Sequence, residues 1–200
     1  MSSVPDLSTY QVGVIKSDTI LRMITPNIFK FSGTSLLAWS AAYAIYEPIT
    51  YFVIPAILKS KTVQEYYNYK KTPFAIVAFG DFIYSTFLLL VAQQVIKYTL
   101  GAASSVSIAT WILSFLMFVG VQWIGDLSFY SIIQQMPPLT NYIDFFQRYT
   151  KEVGIGAAIA DSIYGSFWFV LTQIMASYAS VWLQTTLITL FMFATLVVSY

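Results

Sequence analysis

Five segments of the chain stay apolar for about 20 residues each, the length that carries an α-helix across a bilayer. They cover residues 36–58, 73–96, 106–133, 153–175 and 178–198. The last two form one nearly continuous apolar run over 153–198, too long for a single crossing. The run Ala176-Ser177-Tyr178-Ala179-Ser180 is the expected turn, with a bent or in-plane helix as the alternative to a fifth span. Residues 1–33 are too polar to cross. Val12, Ile15, Ile20, Leu21, Met23 and Ile24 alternate with Lys16, Asp18 and Arg22, and Pro26 interrupts the segment. The pattern fits an interfacial amphipathic helix or a partly ordered tail. The N-terminal residues lack the basic start and apolar core of a cleaved signal, so the first span is expected to drive insertion. The predicted fold is an all-α polytopic transmembrane helical bundle over residues 34–200.

Composition agrees with this reading. The chain is 58% hydrophobic, 18% aromatic and 10% charged, with mean hydropathy +0.69. Soluble domains carry about 25% charged residues. A net charge of +1 points to no nucleic-acid partner. Histidine and cysteine are both absent. Disulfides, Cys/His zinc sites, His-ligated haem and His-based triads are therefore excluded. The expected partners are the lipid bilayer and a second copy or a larger membrane assembly, and no cofactor is indicated.

Against this apolar background, four of the nine acidic residues fall inside the spans: Glu47, Asp81, Asp126 and Asp161. An Asp at the centre of a membrane helix costs about 2.5–3.5 kcal/mol on insertion scales, and such groups mark functional sites. Almost every Lys and Arg lies outside the spans. The loop after the first span carries Lys59, Lys61, Lys70 and Lys71, and the loop after the third carries Arg148 and Lys151. The opposite side has Lys16, Arg22, Lys30 and Lys97. The excess places the two long loops, 59–72 and 134–152, on the cytosolic side. Both loops are aromatic, VQEYYNYKKT (63–72) and NYIDFFQRYTKE (141–152), which suits either a solvated, membrane-hugging loop or a binding lip.

The acids fall into a repeat. Residues 78–98 and 158–178 align at an offset of 80, with seven of 21 positions identical, including Asp81/Asp161, Tyr84/Tyr164 and Gln93/Gln173. Residues 44–54 and 123–133 align at an offset of 79, where Glu47 meets Asp126 and Tyr51 meets Tyr130. The chain thus reads as two parallel helical hairpins, units of about 34–100 and 105–178, followed by the last span. Transporters with such repeats bind their substrates at the repeat interface. A duplication also serves simply to build a symmetric bundle.

Each acid has a tyrosine one helical turn later: Tyr51, Tyr84, Tyr130 and Tyr164. Residues three or four apart share a helix face. These phenols are expected to orient the carboxyls, on their own helix or a neighbouring one. Small residues, including Gly80, Gly125, Gly154, Gly156 and Gly165, predict close helix approach. Gln93, Gln94, Gln122 and Gln173 are expected inside the bundle. Pro48 and Pro55 are expected to break or kink the first span. A carboxyl buried without a cation favours its neutral form and can exchange its proton for a cation.

Three functions follow from these residues. The first is a proton or small-cation channel or transporter, with Asp81 and Asp161 as the binding pair and Glu47 and Asp126 as secondary carriers. The second is a structural subunit of a large assembly, such as a virion inner membrane or a membrane complex, with no transport. The third is an intramembrane aspartyl-type enzyme. Gly80-Asp81 and Gly125-Asp126 supply Gly-Asp pairs, but Ala78 and Trp123 replace the first glycine of the G-x-G-D pattern, so no catalytic residue is assigned. The core D-x-x-[WY]-G-[ST], here Asp161, Tyr164, Gly165 and Ser166, resembles a motif of small polytopic membrane proteins of bacteria and large DNA viruses. The Asp126 helix resembles that family loosely, with a longer spacing between the two acids. The resemblance implies a membrane location and no particular activity.

Overall fold

The computed structural model describes residues 24, 27–68, 70, 74–101 and 107–199. The amphipathic element anticipated before Ile24 lies outside the described residues. Among the described residues there are seven helices: α1 (Gly33–Ile57), α2 (Lys61–Tyr66), α3 (Phe74–Leu100), α4 (Ile108–Gln135), α5 (Asn141–Val153), α6 (Ile155–Tyr178) and α7 (Val181–Ser199). Serine and threonine side chains set several starts. Ser32 and Ser35 form a capping box on α1, and Ser60, Ser107 and Thr140 cap α2, α4 and α5. Gly154, at φ +56°, separates α5 from α6 with no straight continuation.

Four helices, α3, α4, α6 and α7, are long and apolar enough to cross a membrane, which marks the chain as an integral membrane protein. Helix α1 has the length, about 37 Å for its 25 residues, but does not reach the same apolarity. The physical reason is its position. Its first half packs into the bundle with Ala38, Trp39, Ala41, Ala42 and Tyr43 almost fully buried, so it has no need of lipid-soluble side chains. It also runs through Pro48 and Pro55 without ending. Packing against neighbouring helices is what tolerates proline in such positions.

The five long helices form a closed ring in the order α1, α6, α4, α3, α7. The break between α6 and α7 falls at Ala179 and Ser180, inside the expected turn. Helix α7 packs between α1 and α3, with Phe191 against both Tyr43 and Phe74. The outward faces are apolar: Phe52, Ile83, Phe87, Ile124, Phe167 and Phe193 are all exposed. The interior is aromatic. Trp39 stacks on Trp168 with ring centroids 3.8 Å apart, and Phe118 and Phe169 complete a buried layer. Aromatic pairs of this kind add about 0.5–1.5 kcal/mol beyond their burial.

Each of the two long loops carries a helix. Helices α2 and α5 pack together at one end of the bundle. The Arg148 guanidinium donates to both Glu65 oxygens at 3.0 and 3.1 Å, and the Glu152 carboxylate accepts from the Lys61 and Thr62 backbone N–H groups at 2.8 and 3.1 Å. Close helix approach is confined to one glycine of the expected set. A Cβ at Gly125 would sit 2.5 Å from Leu88 Cδ2 and 3.2 Å from the Tyr84 hydroxyl, whereas one at Gly80 would meet nothing within 4 Å.

Candidate functional site

The acids lie inside four different helices, Asp81 and Asp161 about two turns from the starts of α3 and α6, and two of the acids are tied by a crossed pair of hydrogen bonds. Tyr164 on α6 donates to Glu47 Oε2 on α1 at 2.5 Å. Tyr84 on α3 donates to Asp126 Oδ1 on α4 at 2.9 Å. Each phenol thus serves a carboxyl on a neighbouring helix rather than the acid one turn before it. Burial follows the same correspondence. Glu47 and Asp126 are 1% and 2% exposed, and Gln93 and Gln173 are 2% and 1% exposed. On the lipid side, Phe87 and Phe167 are both about 60% exposed.

Three of the acids, Asp81, Asp126 and Asp161, line one partly open cavity of about 160 Å³. They reach it from α3, α4 and α6. Glu47 stands behind Tyr164, outside the lining, where Thr50 Oγ1 adds a 3.3 Å contact and Oε1 has no hydrogen-bond partner. The environments of the three aspartates differ. Asp81 accepts from the Tyr66 hydroxyl at 2.8 Å. Asp126 accepts from Tyr84 and from Gln122 Nε2 at 3.2 and 3.3 Å. Asp161 has no hydrogen bond to any described residue, and neither does the buried hydroxyl of Tyr130, which lines the same cavity. Among the described residues no three acids come close enough to hold a metal ion together.

Two elements that the sequence reading left as loops complete the walls. Tyr66 and Tyr67 enter from α2, and Tyr142, Phe145, Phe146 and Tyr149 from α5. The signal for them was present. In α5, residues 142, 145, 146 and 149 form an i, i+3, i+4, i+7 stripe, and Val63, Tyr66 and Tyr67 give the same start in α2. The Tyr66 and Tyr149 phenols are pushed well above their ordinary range, first by burial and then by the charge of Asp81 for Tyr66 and of Asp161 for Tyr149. They stay protonated and offer donors and ring faces. No described Lys or Arg lines the cavity.

The remaining expected residues are placed as follows. Tyr51 packs edge-on against Phe74 and Tyr67. Gln93 donates to the Ile28 carbonyl, Gln173 accepts from Trp111 Nε1, and Gln94 faces outward. Toward the end opposite α2 and α5, the aromatic layer of Trp39, Phe118, Trp168 and Phe169 lies one to two turns beyond the acids and is at most 1% exposed. The cavity is therefore a one-ended site, not a continuous pore. The chain matches no family model, no curated protein and no solved structure.

Proposed function

We propose that the chain is a five-span membrane protein of two pseudo-repeated hairpins closed by α7, whose cavity takes up and releases a proton or small monovalent cation at one membrane face. The observation that carries this reading is the convergence of Asp81, Asp126 and Asp161, from three helices, on one cavity lined by no described basic residue. Burying a charge is costly, and a fold that served packing alone would not keep three carboxyls around a void. The crossed Tyr84–Asp126 and Tyr164–Glu47 bonds, with the matching burial of paired positions, support the repeat. In that arrangement α7 takes the place between α1 and α3, and α1 crosses the membrane as one member of the five-helix ring.

Asp81 and Asp161 are the binding pair in this reading, with Asp126 as a third acceptor. Tyr66 and Tyr84 orient two of the carboxyls. Access is from the end covered by α2 and α5, which the basic residues assign to the cytosol. The aromatic layer closes the other end, so passage across the membrane requires a second conformation, as in transporters rather than open channels. Glu47 supports the structural alternative for its own position, because it is sealed from the cavity and bonds α1 to α6.

The test is flux in proteoliposomes under a pH or cation gradient. Wild type should carry a saturable flux that Asp81→Asn with Asp161→Asn abolishes while the helical signal and melting behaviour persist. Absence of flux in folded wild type, or undiminished flux in the folded double variant, would leave the structural-subunit reading in its place.

A further inference from the structure

We infer that the cation this cavity accepts is an organic ammonium group, held by the Asp161 carboxylate within a cage of aromatic rings. The inference rests on the cation-binding reading above and names the class of ligand. It begins with what the cavity provides. Asp161 is half-buried, faces the void and has no hydrogen-bond partner among the described residues, unlike Asp81 and Asp126. The Tyr130 hydroxyl is likewise buried and unpartnered at the same wall. A carboxylate without a hydrogen-bond donor and a buried phenol without a partner in one cavity call for an occupant, since leaving the buried hydroxyl unpaired costs free energy.

The lining selects among cations. Hard metal ions demand about six or more oxygens, and no three acids here come within ligating reach of one another. Aromatic faces are abundant instead: Phe129, Tyr130, Phe146 and Tyr149 all border the void. Rings attract a desolvated alkylammonium through their negative faces, and such aromatic cages recognise quaternary ammonium ligands. Among the described residues no Lys or Arg lies in the wall to compete for the site. A void of about 150 Å³ admits a molecule the size of benzene, so about 160 Å³ accommodates a small ammonium group. The same chemistry is offered by a soluble amine and by an ethanolamine or choline lipid headgroup.

The experiment uses the full chain in nanodiscs of anionic phosphatidylglycerol, titrated with tetramethylammonium chloride and followed by tryptophan fluorescence and melting temperature, against sodium chloride at equal ionic strength. Tetramethylammonium should bind saturably and raise the melting temperature beyond the sodium control. Asp161→Asn should weaken that binding about tenfold or more, and Tyr149→Leu about fivefold, whereas Tyr149→Phe should retain it. Tyr149 lies on α5 outside the spans, so its variants keep the test decisive if Asp161→Asn fails to fold. Repeating the titration with phosphatidylcholine in the disc separates the two sources. Competition by that lipid identifies a headgroup ligand, and unchanged binding identifies a soluble amine. Saturable sodium binding that depends on Asp161, without tetramethylammonium binding, overturns this inference and leaves the cation-binding function standing. No saturable binding of either ion, together with no flux, overturns both.

Discussion

Removing the Tyr164 hydroxyl should destabilise the bundle more than removing its counterpart at Tyr84. Tyr164 donates at 2.5 Å to Glu47, a carboxyl 1% exposed, whose other support is the weaker contacts of Thr50 at 3.3 Å and of Tyr43. Tyr164→Phe therefore leaves a buried carboxyl without its shortest donor. Interhelical polar bonds in membranes average about 0.6 kcal/mol with a maximum near 1.7. A buried acceptor left unsatisfied costs about 1–3 kcal/mol. The overlap of these ranges gives an expected loss of about 1.5 kcal/mol. Tyr84→Phe leaves Asp126 with two contacts from Gln122 and an adjacent cavity, so its loss should be nearer the average, about 0.6 kcal/mol. Reversible unfolding in mixed micelles, followed by fluorescence of the buried tryptophans, measures both. Glu47→Gln combined with Tyr164→Phe in a double-mutant cycle isolates the pair. A Tyr164→Phe loss equal to or smaller than that of Tyr84→Phe would refute the argument that Glu47 depends on this phenol.

The other expectations concern packing and the α2–α5 clasp. Gly125→Ala places a methyl against Leu88 and Tyr84 and should cost about 1 kcal/mol in the same unfolding assay, with Leu88→Ala in the same chain restoring part of it. Trp39→Ala removes a side chain stacked on Trp168 and bonded to Thr86, and should cost about 3–5 kcal/mol with a lowered melting temperature. Glu152 is held below its ordinary range by hydrogen bonds from Thr62 and Ser60 and from the α2 backbone. A depressed carboxylate contributes order above its unfolded value and loses it as pH falls through the folded one. Protection factors at the Lys61 and Thr62 amides, taken against their intrinsic exchange rates, should thus fall as the pH is lowered below that range, and Glu152→Gln should lower them already at neutral pH.

Much of the site was legible because the physics that marks it is local. Carboxyls in hydrocarbon stand out in any hydropathy profile, and a tyrosine one turn on is visible by spacing alone. The pairing was not. Whether Tyr84 meets Asp81 or Asp126 depends on which helix lies alongside, and that is set by the ring order α1, α6, α4, α3, α7. Tyr66 was missed as the partner of Asp81 because it sits 15 residues upstream on a separate six-residue helix. The stripe of Tyr142, Phe145, Phe146 and Tyr149 was readable, but aromatic and basic residues mixed together match a headgroup loop equally well. Helix α1 shows the limit of hydropathy. Its first half answers to packing, so alanine, tryptophan and tyrosine stand there, and with Glu47, Pro48 and Pro55 in its second half the apolar signal falls.

The central claim is that the cavity is a cation-selective site reached from the α2–α5 end. The chain contains no cysteine, so a single Ala160→Cys substitution in the cavity wall gives one reporter. Oriented proteoliposomes would be exposed on either face to methanethiosulfonate reagents bearing a trimethylammonium or a sulfonate group. The account predicts modification from the α2–α5 face alone, with the cationic reagent faster by about tenfold or more through focusing of the carboxylate field. Equal rates for the two reagents, or modification from the opposite face, would contradict it.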